Sequence, residues 1–531
     1  MRPEPEHPLA APAPGLVHPW PEPPEGGASI VVAPGIRWIR MPLPFQLNHI
    51  NLWLLDDGDG ITVVDTGVGL PPTRALWEAL FVGELRDRPI VRVLVTHFHP
   101  DHIGNADWLA QRFGVELWCP QAEWLMAQLA WQGMGGNDSE KRLNHYRRHG
   151  VPEASVEAFR GRGNHFRQLV PSVAPDFRAV REGDVVTIGG RAWHAFTVMG
   201  HAPEHACLFS PEANVLISGD QVLPKITTNV SVWPDQPNGN PLKLYLDSLG
   251  RFRPLPESTL VLPSHGLPFR GLHRRLDYLQ HHHDERLSET IDALAEPRTA
   301  HDLVPVLFRR QLDAHQLGFA IGETVAHLHF LEALGQASRL VGDDGIHRFR
   351  KASMARARVA RALRGLAAAV LLAGLGSCAA SAAHSRPGTT TTVILTRHGD
   401  TDPGSGVLNA TGRERAQALV AAVGGMGVTA IYSPDLERNL DTVRPLARHA
   451  GIEITRTAAV SLFSAGAIVD EILDRHAGSV VVWVGNASGN LQAVYRRLGG
   501  SGLGPVEYGD LHIVTVPATG PVTVDKRRYV P

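Results

Sequence analysis

The sequence predicts a multidomain protein of mixed class, α+β in its first half and α/β in its second, and three observations carry that reading. The chain has 531 residues, which at about 150 residues per domain is too long for one hydrophobic core. From residue 30 to residue 261 short apolar runs alternate with helical patterns, and the alternation resumes after residue 392. Between the two lies 366–383, where every residue is apolar or small.

The elements come in this order. Residues 1–29 are dense in proline and have neither the basic start nor the apolar middle of a signal peptide, so they read as a disordered arm. Strands are expected at 36–41, 51–55, 61–65, 91–96 and 116–118. Two strand pairs should come next, 184–188 with 192–198 across Gly189-Gly190, and 206–209 with 215–218 across Pro211-Glu212-Ala213-Asn214. Residues 126–177 are mostly helical and basic, with Arg142, His145, Arg147, Arg148, Arg160, Arg162, His165 and Arg167. They read either as a substrate-facing insert or as a solvated helix face.

One long helix is expected over 274–295 and two more over 300–310 and 318–334, then a hairpin over 336–350 turning at Asp343-Asp344-Gly345. This pattern suggests a small winged-helix-like tail, 272–352. The His281-His282-His283 run, within a charged helix, is expected on a solvent-exposed face. Residues 353–391 open with Met354 and arginines 356, 358, 361 and 364 ahead of the apolar run, in which Leu375-Gly376-Ser377-Cys378 stands. That segment resembles a bacterial lipoprotein signal. It reads as a relic joining two frames, as a membrane anchor or export signal for the last domain behind a cytoplasmic first half, or as an alanine-rich helix. Beyond it, strands at 393–396, 430–432 and 480–484 alternate with helices at 412–423 and 436–450.

Composition narrows the chemistry. Apolar residues make up 43% and charged residues 20%, and 51 Lys and Arg against 53 Asp and Glu leave a formal charge of −2. That balance suits soluble globular domains and excludes a chain-wide basic footprint for nucleic acid. Cys119, Cys207 and Cys378 lie far apart without a C-x-x-C, so neither a disulfide framework nor a thiolate zinc knot is available. Any metal must be held by histidine and carboxylate, and Cys207 reads as a small buried side chain.

The strand at 91–96 runs into His97-Phe98-His99-Pro100-Asp101-His102, with a helical period behind it. On an extended segment His97 and His99 point the same way, while Asp101 and His102 start the helix and can face a neighbouring point. Two adjacent metals are the natural consequence, and zinc suits the ligand types. Candidate partners end later apolar runs at His201, Asp220 and His265, and Asp65 ends an earlier one, where its carboxylate can support a ligand histidine.

On these residues, 30–271 resembles the metallo-β-lactamase superfamily. The resemblance implies an αββα sandwich with a dinuclear zinc site, iron or manganese being the alternatives. His97, His99 and His201 would hold the first metal, Asp101, His102 and His265 the second, and Asp220 would bridge them. The implied activity is hydrolysis by a metal-bridging hydroxide, with Asp101 orienting or deprotonating the nucleophile. The ligand set is more similar to hydroxyacylglutathione hydrolases, lactonases and the endoribonuclease branch than to antibiotic-degrading lactamases. No G-x-S-x-G occurs to suggest an acyl-enzyme. The basic insert and Arg309, Arg310, Arg339, Arg348 and Arg350 would suit a small anionic thioester or ester, or an RNA backbone. The thioester ranks first, because no aromatics interleave the basic stretches.

In the last domain, 392–531, a strand leads into Arg397-His398-Gly399-Asp400-Thr401, and Ser433-Pro434-Asp435-Leu436-Glu437-Arg438 comes after another. This resembles the three-layer α/β histidine phosphatase superfamily, related to phosphoglycerate mutases. By the resemblance His398 would accept a phosphoryl group clamped by Arg397 and Arg438. Where the family carries a second histidine, this chain has Asn486. Either a phosphomonoester or phosphohistidine phosphatase or a mere phosphate-binding module remains open.

Overall fold

The computed structural model describes residues 15–45, 47–134, 139–160, 164–352, 384–402, 406–457, 464–486, 490–501 and 504–531. Most of the signal-like segment, with Cys378, lies outside them, as does the start of the proline-rich arm. No helix among the described residues is long and apolar enough to cross a membrane. The chain divides into two units, Met1–Leu279 with Arg310–Ala326, and Gln280–Arg309 with His327–Pro531.

The first unit holds two sheets. Strands β1 (Ile30–Ala33), β2 (Ile36–Pro42), β3 (His49–Asp57), β4 (Gly60–Val64), β5 (Ile90–Leu94), β6 (Leu117–Cys119) and β7 (Arg178–Ala179) pair in chain order. The first four form an antiparallel meander, and β4 to β7 run parallel across helical crossovers. Strands β8 (Val185–Ile188), β9 (Arg191–Val198), β10 (His205–Ser210), β11 (Val215–Gly219) and β12 (Leu260–Pro263) form the second sheet, ordered β12-β11-β10-β9-β8. Gly189 and Gly190, both at positive φ, make the two-residue turn that a right-twisted β8-β9 hairpin favours.

Side-chain alternation explains why the sheets stack. In β3, Trp53 and Leu55 join Trp38 of β2, Val64 of β4 and Leu94 of β5 against Trp193, Leu208, Ile217 and Leu262 of the second sheet. Ile50, Leu52 and Leu54 face the other way, with Trp77, Leu80 and Leu109 from the helices Pro71–Val82 and Ala106–Phe113. A strand that is apolar on both faces must be covered on both, which yields a sheet-on-sheet core with helices outside.

The second unit contains the hairpin β13 (Ala337–Val341) and β14 (His347–Lys351), turning through Asp343-Asp344-Gly345. Arg298 and Phe349 exchange backbone hydrogen bonds of 2.8 and 2.7 Å along its outer edge. Its large sheet comprises β15 (Thr390–Arg397), β16 (Val428–Pro434), β17 (Ile454–Thr457), β18 (Val480–Gly485), β19 (Asp510–Pro517) and β20 (Thr523–Arg528), ordered β17-β16-β18-β15-β19-β20. The first four in that order are parallel, and β19 and β20 close the edge antiparallel. Val393, Leu395, Val481 and Trp483 face one helical layer, while Ile394, Val482 and Val484 face the other.

One expectation is overturned. His283 is fully buried, its ring centroid 5.4 Å from that of His327. The helix Leu272–Asp292 buries Leu279, His283, Leu287 and Ile291 as a continuous ridge, so the run of three histidines places one ring inward rather than all three in water. In the basic insert, Arg147 pairs with Glu153, and Arg160 with Glu140 and Glu157. His145 and His149 are buried there, ring centroids 4.7 Å apart.

Candidate metal centre

Histidines and carboxylates from five loops of the first unit converge where strands of both sheets end. Asp65 comes directly after β4, His97 lies just beyond β5, His201 beyond β9, Asp220 directly after β11 and His265 just beyond β12. The short helix Pro100–Ile103 carries Asp101 and His102. Three groups of side chains each bring their ligand atoms within 4.8 Å: His97, His99 and His201; His97, His102 and Asp220; and Asp101, His102 and His265. Every metal-ligand candidate read from the sequence therefore sits in one cluster.

Asp220 lies between the groups. Its Oδ1 is 3.5 Å from His102 Nε2 and 3.4 Å from His265 Nε2, and its Oδ2 is 3.4 Å from His201 Nε2. Asp101 Oδ2 stands 3.4 Å from His265 Nε2 and 3.8 Å from His102 Nε2. On the other side, His97 Nε2 lies 2.9 Å from His99 Nδ1 and 3.2 Å from His201 Nε2.

The rings are aimed by hydrogen bonds to their outward nitrogens. His201 Nδ1 donates to the Asn229 carbonyl at 2.8 Å, His265 Nδ1 to the His49 carbonyl at 2.8 Å, and His102 Nδ1 meets Asp65 Oδ2 at 2.8 Å. Each partner fixes the tautomer that presents Nε2 inward. Asp65 adopts a left-handed φ of 63°, a conformation that costs an aspartate on the order of 1 kcal/mol. It is held there as it accepts from the Thr96 backbone N–H at 2.8 Å and from the Thr96 hydroxyl.

Three supporting residues carried no motif. His205, at the start of β10, is buried and stacks on His97 with centroids 4.7 Å apart, while its Nε2 accepts from the Asp220 N–H at 3.1 Å. Gly219, at φ 53°, is what admits it, since a Cβ there would collide with the His205 imidazole. Glu123 accepts from the Phe98 N–H at 3.0 Å and the Glu204 N–H at 2.6 Å, tying the H-x-H segment to the loop after His201. Asn51 donates to the Pro263 and Gly266 carbonyls at 2.9 and 3.0 Å, bracketing His265. The one hint in the chain is the closeness of His205 to His201 along the sequence.

The electrostatics favour a cation. Burial and neighbouring imidazoles hold His97 well below the ordinary histidine range and His99 down to about 3, so both present lone pairs. Burial also acts to lower His102 and His265, but the carboxylates outweigh it, raising His102 well above its usual value and His265 to about 10. Protonated histidine is thus the local source of positive charge beside Asp65, Asp101 and Asp220. Nevertheless His102 Nε2 and Asp220 Oδ1 are buried without a hydrogen-bond partner. Divalent cations would accept both atoms and displace the protons, so the residues fit the group their types suggest.

In the second unit, Arg397 ends β15 with His398 beside it, and Arg438 lies in the helix Glu437–Ala450 after β16. Asn486 comes directly after β18 and is buried. All four stand at the carboxyl ends of parallel strands, where open α/β sheets bind ligands. His398 Nδ1 donates to the Gly399 carbonyl at 2.8 Å. Both guanidiniums, however, are engaged: Arg397 by Asp292 and Arg438 by Glu285.

Comparisons with known proteins agree with this geometry. The profile of the metallo-beta-lactamase superfamily matches residues 46–265, that of the metallo-beta-lactamase-like C-terminal domain 287–352, and that of the histidine phosphatase superfamily, branch 1, 393–471. The chain is 46% identical to a beta-lactamase domain protein of Burkholderia ambifaria of known structure, with a TM-score of 0.60, covering 64% of this chain and 98% of that one. It is 26% identical to a probable metallo-hydrolase, YqjP, of Bacillus subtilis over 56% of this chain and 91% of that protein. It is 30% identical to the acyl-coenzyme A thioesterase MBLAC2 of Bos taurus over 35% of this chain and 63% of that protein.

Proposed function

Because the chain belongs to the metallo-β-lactamase superfamily and carries a C-terminal histidine phosphatase superfamily domain, we propose that it is a dinuclear metal-dependent hydrolase of small thioesters or esters. His97, His99 and His201 would hold one cation and Asp101, His102 and His265 the other, with Asp220 shared and zinc the favoured metal. When bound, such a pair supplies hydroxide at neutral pH and polarises the oxygen of the scissile bond. The observation that most supports the reading is the position of Asp220, one carboxylate oxygen toward His102 and His265 and the other toward His201.

The chain's own residues do the rest. Asp101, its Oδ2 3.4 Å from His265 Nε2 and 3.8 Å from His102 Nε2, would orient the attacking water or accept its proton. Thr96 and Asp65 keep His102 from rotating, and Glu123 keeps the segment Phe98–His99 in register with His201. Arg147, Arg160, Arg309, Arg339 and Arg348 each pair with a glutamate or aspartate of their own unit, which leaves less free positive charge to track an RNA backbone. The thioesterase activity of the MBLAC2 relative points the same way.

The test is release of free thiol from acyl-coenzyme A and acyl-glutathione esters, lost on chelation and restored by metal, with metal analysis of the purified protein separating zinc from iron or manganese. Chelator-sensitive cleavage of RNA oligonucleotides without thioester turnover would replace this reading with a nuclease.

A further inference from the structure

The second unit contains a phosphate-type pocket that the same unit fills with carboxylates. Arg397, 1% exposed at its side chain, forks onto Asp292, Nη1 to Oδ1 at 3.2 Å and Nη2 to Oδ2 at 2.8 Å. Its Nη2 also reaches Ser288 Oγ at 3.3 Å, its Nη1 the Val506 carbonyl at 3.0 Å, and its guanidinium lies 3.8 Å from the Tyr508 ring centroid. Arg438, 7% exposed, donates from Nη1 to Glu285 Oε1 at 3.0 Å, and Glu285 is also 3.3 Å from His281 Nε2.

Glu285, Ser288 and Asp292 are spaced three and four residues apart, so they share one helix face. The planar fork of Arg397 on a carboxylate is the geometry arginine offers a phosphoryl group. Meanwhile Arg438 Nε and Nη2, Arg397 Nε and His398 Nε2 are buried and lack hydrogen-bond partners. The two carboxylates therefore satisfy only part of the guanidinium donor set, and Arg397 Nε with Arg438 Nε and Nη2 is left for the oxygens of a tetrahedral oxyanion.

We propose that the arginine pocket of the C-terminal domain is a receptor for the acidic helix face Glu285–Ser288–Asp292, which stands in for a phosphoryl group, so that a free phosphate binds only by displacing it. The domain then acts in this chain as a clasp on that helix, and its phosphate site is closed to outside ligands until the carboxylates leave. This goes beyond the proposed hydrolase activity and does not depend on it.

The experiment is calorimetric titration of the full chain with inorganic phosphate, comparing wild type with the double variant E285Q/D292N. The variant should bind phosphate about tenfold more tightly or better, and adding R438Q should abolish the gain, which separates this pocket from the histidine cluster. Equal affinity in wild type and double variant, no binding in either, or a gain that survives R438Q would each overturn the proposal. Should the double variant not fold, E285Q and D292N singly must each give an intermediate gain, and the absence of any gain would overturn it as well.

Discussion

The two buried charged pockets of this chain stand at the same kind of place, the carboxyl ends of strands, yet their charges are balanced by different means. In the first unit, Asp65, Asp101 and Asp220 collect among histidines, and the cationic charge beside them comes from His102 and His265 as they take up protons. In the second unit, Arg397 and Arg438 collect beside His398, and the countercharge arrives as fixed carboxylates from Asp292 and Glu285. A proton on histidine is exchangeable for a metal ion, whereas a carboxylate anchored in a helix leaves only if the helix moves. One pocket is therefore receptive as folded, and the other already holds carboxylates on part of its donors.

Perturbing each pocket tests that contrast. The largest effect belongs to the first. Asp220→Ala removes the carboxylate facing both ligand groups and should lower thioester kcat/KM by about 10³-fold, with bound metal falling below two equivalents; retained activity with full metal content would break the assignment. Asp65→Asn keeps the shape but weakens the grip on His102 Nδ1, so metal affinity should fall about 10- to 100-fold, read by competition with a chelating dye.

In the second pocket, Asp292→Asn strips the forked partner from Arg397. Losing one member of a buried pair costs about 3–5 kcal/mol, and because Asp292 is 39% exposed at its side chain roughly 2 kcal/mol is expected after solvent screening. Added phosphate should recover part of it by mass action. Urea unfolding with and without phosphate measures both.

A separate, pH-dependent effect concerns Asp284, next to Glu285 in the sequence. Burial pushes its carboxyl up from 3.8 to about 8, against the opposing influence of Gln280 and Arg438. A folded value above the unfolded one means that its contribution to stability is complete below pH 3.8 and is lost as pH rises through about 8. Asp284→Asn should flatten the stability profile over that window, and a profile parallel to wild type would show that Asp284 is already ionised.

Local patterns make much of this legible. His97, His99, Asp101 and His102 crowd into a single short stretch, and His201, Asp220 and His265 each close an apolar run, so strand-end placement can be read without a fold. The double-sided apolar strands likewise announce covered sheets. His205 and Glu123 are not legible, because a histidine opening a strand and a glutamate inside a helix look ordinary until a neighbour is known. The inward turn of His283 is hidden for a related reason, since a helix in a polar stretch does not declare which of its faces will be covered. The edge strand β20 gives no signal either, because it carries Asp525, Lys526, Arg527 and Arg528, a polar pattern without apolar alternation.

By itself the sequence determined the ligand types, their order along the chain and the residues at the carboxyl ends of the strands, because those depend on neighbours a few positions away. Only the tertiary structure decided which charges meet. Asp292 is 105 residues from Arg397, and Glu285 is 153 from Arg438. No local propensity encodes a pairing at that separation; it arises when packing brings a helix face and a strand end within hydrogen-bonding distance, where burial makes an unpartnered charge too costly to leave.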